Sequence, residues 1–424
     1  MRNFILLALL AGCSQPAATN GFPFRIAAAG ELAPLAPNTA GSFTLIAQDW
    51  VFEPLVRLQP DGSLKPALAA TFVRVKPNLV RVEIRRDAFF SDGSQVTSTD
   101  VERSLRFFGL DAKADGENGV FIEAESPSIP DSSFLRALVF KEASGTFFGT
   151  GPFTVVEQDP SHILLRRRQR LPKHINEVLL KTFGSPRDAF TRTLGGDADS
   201  YPVIDPKQIE FFEGVPRFRL VRAQSLNAIG IALSSKRLDR ETRLALLANL
   251  RSSELSPMAY PEGCAAIDLP HPTSRPLPQG RPLSIMFVSL GAPLERMALA
   301  VQRSLGARGG EIQAITFAEY LQRIPRDDFD LLIDMPLAWP HSDMALYWRT
   351  KSTLGQRPSY SNPRVDAALD AADWDRALRE LMEDPPEDYI CLPDRFAVVD
   401  SRIKDPRIGP YGFFETLPEW EIAP

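Results

Sequence analysis

Apolar and polar side chains alternate from Leu79 to Arg85: Val80, Val82 and Ile84 point one way, Arg81, Glu83 and Arg85 the other. That period of two predicts a half-buried strand. Asp92-Gly93 predicts a turn, because Gly accepts positive φ and Asp bonds its own backbone. Thr97 stands three residues before Asp100, the spacing of a capping box, and Val101, Leu105 and Phe108 recur at i, i+4 and i+7. A capped helix with one apolar face is the expectation. Strand, turn and helix make an α/β unit.

Related units recur downstream. The apolar run Ile229 to Leu233 predicts a strand ahead of a helix through Leu238 to Leu247. Leu283 to Val288 predicts a buried strand. Pro293 suits a first helical turn, and Leu294, Met297, Ala298, Val301 and Leu305 line one face of that helix. Gly309-Gly310 ends the unit, and Ile312 to Ile315 supplies the next strand. Phe317, Tyr320, Leu321 and Ile324 mark a second amphipathic helix, before a strand from Phe329 to Ile333. Strands alternating with helices imply a largely parallel sheet with crossovers. Gly149-Thr150-Gly151-Pro152 predicts a tight turn into a strand; without a third glycine and a following helix it is no dinucleotide fingerprint. The basic run Ile163 to Arg170 is expected on a solvated edge strand or loop. Pro257 to Pro282 is linker-like, with little periodicity.

The amino terminus has a different pattern. Met1-Arg2-Asn3 carries one positive charge, and Phe4 to Leu10 is an apolar run too short to span a bilayer. Leu10-Ala11-Gly12-Cys13 looks like a lipobox, the bacterial signal in which the Cys is lipidated. Residues 1–12 are therefore expected to be a signal peptide, Cys13 the lipidated residue, and 13–21 a small, polar tether. The competing expectation is a first strand or helix of a cytosolic domain. A lipid on Cys13 would hold the chain at a membrane surface, outside the cytoplasm. No later segment is apolar for long enough to cross the bilayer.

Size and charge narrow the rest. A chain of 424 residues is too long for one core, so at least two packed lobes are expected. The net charge of −5 argues against nucleic acid, whose binding needs basic surface. The 37 prolines suggest long, stiffened connections. With Cys13 assigned to lipid, Cys264 and Cys391 remain. Two cysteines in an oxidising compartment could pair, but their separation is not legible in the sequence, and two buried free thiols are the expectation.

The order of landmarks points to a family. Asp49-Trp50-Val51-Phe52-Glu53-Pro54-Leu55-Val56-Arg57 is followed by Pro60-Asp61-Gly62-Ser63-Leu64-Lys65-Pro66, the strand at Leu79, Phe89-Phe90-Ser91-Asp92-Gly93 and Thr97-Ser98-Thr99-Asp100-Val101. This block resembles the first lobe of the bacterial extracellular solute-binding proteins of family 5, the peptide- and nickel-type receptors of ABC importers. Gly149-Thr150-Gly151-Pro152 and Tyr360-Ser361-Asn362-Pro363 are similar to later landmarks of that family. The resemblance implies a two-lobed α/β fold of the periplasmic-binding-protein type (class II), with mixed sheets and a two-strand hinge. It divides the chain into a first lobe (22–224), a second lobe (225–390) and a return to the first lobe (391–424). It implies a lipid-anchored receptor for a peptide or similar small solute, with ABC permease subunits as partners and no cofactor.

In that family the ligand lies between the lobes, and peptide binders fix its amino terminus with an Asp shortly after a Gly-Trp pair. The matching segment here runs from Met335 to Asp343. Met335 and Pro336 replace the Gly-Trp pair, and Trp339 falls where the Asp would be. The implied site residues are Met335, Pro336, Leu337, Ala338, Trp339 and Asp343, with Tyr411 in the final segment. Trp339 could stack on an apolar ligand group or serve as a core aromatic, whereas Trp50 and Phe52 are expected to pack. The departure from the family's pair motivates a second reading, a binding protein that has left transport and acts as an envelope sensor or interaction module.

No metalloprotease, nucleophile-elbow, Cys-x-x-Cys or phosphate-loop motif is present. His162, His174, His271 and His341 have no ligand spacing, so no metal site is expected. Acidic pairs such as Asp327-Asp328 and Glu383-Asp384 are expected on solvated surface. A binding protein rather than an enzyme is the expectation; an envelope hydrolase has only its compartment in favour.

Overall fold

The computed structural model describes residues 23–39, 43–59, 63–124, 129, 132–135, 137–203, 205–260, 263–267, 275–289, 291–336, 348–350, 359–371, 373–409 and 413–423. The expected signal peptide, tether and Cys13 lie outside the described residues, as do Pro60-Asp61-Gly62, His271 and His341.

The alternating segment forms the strand Leu79–Ile84, with Val80, Val82 and Ile84 buried. It sits in a four-stranded antiparallel sheet with Ala69–Lys76, Gly119–Glu123 and Asp111–Asp115. The helix Ser98–Phe107 covers this sheet with Val101 and Leu105, and both halves of the capping box between Thr97 and Asp100 are present. Trp50 and Phe52 belong to a different core, with Phe24, Ile26, Phe153 and Phe414. The opening block therefore serves two cores of the first lobe rather than one.

A larger sheet runs through the whole molecule. At one end Phe153–Asp159, His162–Arg167, Glu177–Phe183, Phe24–Ala29 and Ser200–Val203 lie side by side, and Phe24–Ala29 is parallel to Glu177–Phe183. At the other end Ile229–Leu233, Leu331–Asp334, Leu283–Val288 and Gly309–Ile315 do the same. The last three are mutually parallel, as the crossover pattern predicts, while Ile229–Leu233 runs antiparallel to its neighbour. The helix Ala292–Leu305 buries Leu294, Met297, Ala298, Val301 and Leu305 against this second sheet.

One strand belongs to both ends. Glu387–Asp400 pairs Ile229–Leu233 through Glu387 to Cys391, then Phe218–Gln224 through Asp394 to Asp400. Ile390 to Pro393 are part of this same element. A second passage runs through Ser225 to Ala228, between Phe218–Gln224 and Ile229–Leu233. Two adjacent passages make the two-strand hinge of a two-lobed fold.

Several expectations need correction. Cys264 and Cys391 form a disulfide, with Cα atoms 5.6 Å apart, rather than two free thiols. Cys264–Ala266 is a short strand whose Cys264 pairs Pro393 and whose Ala266 pairs Cys391. The two cysteines are thus diagonal neighbours, within disulfide reach. The Pro257 to Pro282 stretch is not a plain linker, because the helix Ser252–Ala259 includes Pro257 and Tyr260 is buried. The basic run is neither an edge nor wholly solvated: His162–Arg167 is paired on both sides. Its Arg167 is buried over the Phe153 ring, 4.7 Å from the centroid, and donates to the carbonyls of Ile175 and Pro418.

Candidate functional site at the hinge

Met335 and Pro336 follow the strand Leu331–Asp334 directly to the hinge. Asn227 Nδ2 donates to the Met335 carbonyl at 3.1 Å, and the Ala228 N–H to the Pro336 carbonyl at 2.9 Å. Gly230 is required there: an added Cβ would meet Glu387 Oε1 and would lie 2.9 Å from Pro336 Cγ. The structure thus brings Met335 and Pro336 to the Ser225–Ala228 passage between the lobes. Leu337, Ala338, Trp339, Asp343 and Tyr411 lie outside the described residues.

Sequence reasoning missed Arg395. It stands on the strand Glu387–Asp400, where the pairing changes from one lobe to the other. Its Nε donates to Ser225 Oγ and its Nη2 to Asn227 Oδ1, each at 3.2 Å. The guanidinium also lies over Phe413, 5.1 Å from the ring centroid. One side chain therefore ties both passages to the carboxy-terminal segment. The available signal was a charge pair, Asp394-Arg395, between the apolar runs on either side of it.

Nearby, the lobes touch through charge. Arg296, on the helix Ala292–Leu305, gives Nη1 and Nη2 to the two oxygens of Asp205, each at 2.9 Å. Asp205 precedes the 3-10 turn Pro206–Phe211 in the first lobe and caps it through the Lys207 N–H. Burial raises the Asp205 pKa, but the Arg296 and Lys207 hydrogen bonds outweigh it and leave it lowered. Arg296 Nη2 also donates to the Ala259 carbonyl, next to Tyr260. Burial pushes the Tyr260 phenol up to about 12, so it is protonated at physiological pH.

Two buried aspartates of the second lobe show how partners decide charge. Asp330 accepts from Arg281 at 2.6 and 2.7 Å and from the N–H and Oγ of Ser284. Burial raises its pKa, yet these bonds bring it below the ordinary value. Asp388 is equally buried, and neither carboxyl oxygen has a hydrogen-bond partner. Burial alone pushes it well above the carboxylate range. A raised folded-state pKa favours the protonated form, so its stabilising contribution is present below about pH 4 and lost as pH rises toward the folded value. Asp388→Val is therefore expected to raise stability at pH 7.5 by about 2 kcal/mol. The gain should shrink at pH 3.5, where the carboxyl is protonated but still has no hydrogen-bond partner. Urea midpoints at both pH values check this, and a gain independent of pH would contradict it.

Among the described residues, no group of three or more His, Cys, Asp or Glu side chains could hold a metal ion. No described helix is long and apolar enough to cross a membrane.

Comparison with family models and with curated protein sequences finds no match. Solved structures do match. The binding protein AgaA from A. tumefaciens R10, in complex with agropinic acid, superposes with a TM-score of 0.79 at 16% identity, over 95% of this chain and 99% of that one. The murein tripeptide binding protein MppA of Escherichia coli gives 0.76 at 15% identity, over 95% and 98%. Its unliganded open form gives 0.64 at 16% identity, over 94% and 97%. The chain therefore has the two-lobed fold of these solute-binding proteins, as the sequence landmarks implied.

Proposed function

We propose that the chain is an extracytoplasmic solute receptor, a member of the peptide- and nickel-type group, that captures a small organic molecule between its lobes and delivers it to an ABC permease. The observation that carries this reading is the pair of hinge passages, joined by Arg395 and bordered by Met335 and Pro336. A hinge of this kind lets two lobes close on a ligand. The assignment of 22–224 and 391–424 to one lobe, and of 225–390 to the other, is part of the proposal. It is supported by the change of strand partners at Ser225–Ala228 and near Pro393. Leu337, Ala338, Trp339, Asp343 and Tyr411 are proposed to complete the cleft. The disulfide supports an oxidising compartment, and lipidation of Cys13 would tether the receptor to a membrane.

An oligopeptide is the first candidate cargo. Native mass spectrometry on protein purified without refolding, with small-angle scattering before and after adding a peptide pool, tests it. The expected result is a bound species and a more compact particle. Absence of both would sink the proposal. Replacement of the family's Gly-Trp by Met335-Pro336 favours one alternative, a binding protein retained as an envelope sensor without transport.

A further inference from the structure

The hinge strand Glu387–Asp400 has two edges, and the chain treats them differently. On one edge Arg222 pairs Phe396 and Ile229 pairs Cys391, and Ser225 to Ala228 carry the backbone from the first lobe to the second. On the other edge Val203 pairs the same Phe396, and Ala266 pairs the same Cys391. Here Ser200–Val203 belongs to the first lobe and Cys264–Ala266 to the second, and the backbone does not pass directly between them.

The Arg296–Asp205 pair spans that gap. Asp205 follows closely on Val203, and Arg296 holds both of its carboxyl oxygens, each at 2.9 Å. The same guanidinium donates to the Ala259 carbonyl, at 2.9 Å, on the approach to Cys264. The two side chains are only 21% and 18% exposed, so water and salt screen them less than a surface bridge. A fork of two parallel N–H bonds also tolerates little rotation or shear. A bend at the changeover carries Asp205 with one lobe and Arg296 with the other. The pair keeps this geometry at one lobe angle and loses it at others.

We propose that Arg296 and Asp205 form a clasp on the discontinuous edge of the hinge, which holds the lobe angle of this structure and sets the resting populations of the lobe arrangements. This rests on the lobe division and receptor reading given above, and it concerns the regulation of the cleft, not its cargo. A solute that needs another angle must part the pair, whereas one that needs this angle finds it prepared. The clasp therefore tunes affinity without touching the solute.

The test uses the whole chain, with its disulfide intact and no solute. Spin labels replace the exposed Lys113 of the first lobe and the exposed Arg379 of the second, attached through a ketone-bearing residue that leaves the cysteines alone. Pulsed electron–electron resonance then gives the distribution of inter-lobe distances. Asp205→Asn removes the charge but keeps a capping side chain for the turn Pro206–Phe211. It should lower the population at the distance of this structure, relative to other distances, about five- to ten-fold. Arg296→Gln should do the same, and the double variant should move no further than either single one, because a pair is broken only once. Arg296→Lys keeps the charge without the fork, and should give a smaller shift in the same direction. An unmoved distribution in Asp205→Asn overturns the clasp, as do shifts that simply add, which would place each side chain's effect within its own lobe. Those outcomes leave the receptor reading standing, since no solute is involved. Failure to find any bound solute by mass spectrometry would sink that reading and leave the clasp in place.

Discussion

Gly149→Ala is expected to lower stability by about 3–4 kcal/mol, or to prevent folding of the first lobe. An added Cβ at Gly149 would run into the Val51 carbonyl and would lie 2.8 Å from the Phe52 ring. Gly151, two residues on, would meet the Trp50 carbonyl and carbon. The Gly151 N–H donates to the Val51 carbonyl at 2.9 Å, and the Gly149 carbonyl accepts the Ser91 N–H at 2.9 Å. The turn therefore lies flat against the end of the helix Leu45–Val51, and backbone, unlike a flexible side chain, cannot step aside. Gly195→Ala is the control. Gly195 has φ −70°, and its added Cβ would come no nearer than 3.5 Å to any neighbour, so it should change stability by less than about 0.5 kcal/mol. Urea unfolding of both variants decides the matter. Equal midpoints would show that the close approach is not what these glycines serve.

Removing the Cys264–Cys391 bridge by replacing both residues with alanine is expected to cost on the order of 4 kcal/mol. The bridge joins positions 127 residues apart, and closing a loop of that size limits the unfolded chain strongly. In the folded chain it fastens the short strand Cys264–Ala266 to the hinge strand. Unfolding of the natural chain with and without reductant gives the companion measurement, which should match the double variant. An unchanged urea midpoint in the double variant would refute the stabilising role.

Local pattern made much of this molecule legible. Leu283–Val288 and the helix Ala292–Leu305 could be read because their buried faces are set by neighbours in sequence. The fold class followed from alternation, with the family resemblance supplying the lobes. What escaped depends on distant partners. Arg167 looked like surface because nothing near it in sequence reveals Phe153 beneath it or the Pro418 carbonyl beyond it. Gly309-Gly310 looked like the end of a unit but begins the strand Gly309–Ile315, where Gly310 lies against the Leu283 backbone. Tyr260 was hidden in a proline-rich stretch whose short strand exists only by pairing with a segment far along the chain. Of the expected site, Met335 and Pro336 reach the hinge, whereas Arg395 was found only through its partners in space.

The long strand Glu387–Asp400 has a mechanical consequence. Because both its ends are laddered into rigid sheets, neither lobe can slide past the other without tearing hydrogen bonds. Relative motion is left with one soft coordinate, a bend and twist concentrated where the ladders change over. Pro393 sits at that changeover and has no N–H to give to either ladder. The molecule should therefore open and shut like a book on a short spine, and a pair of spectroscopic labels on opposite covers would record that single angle.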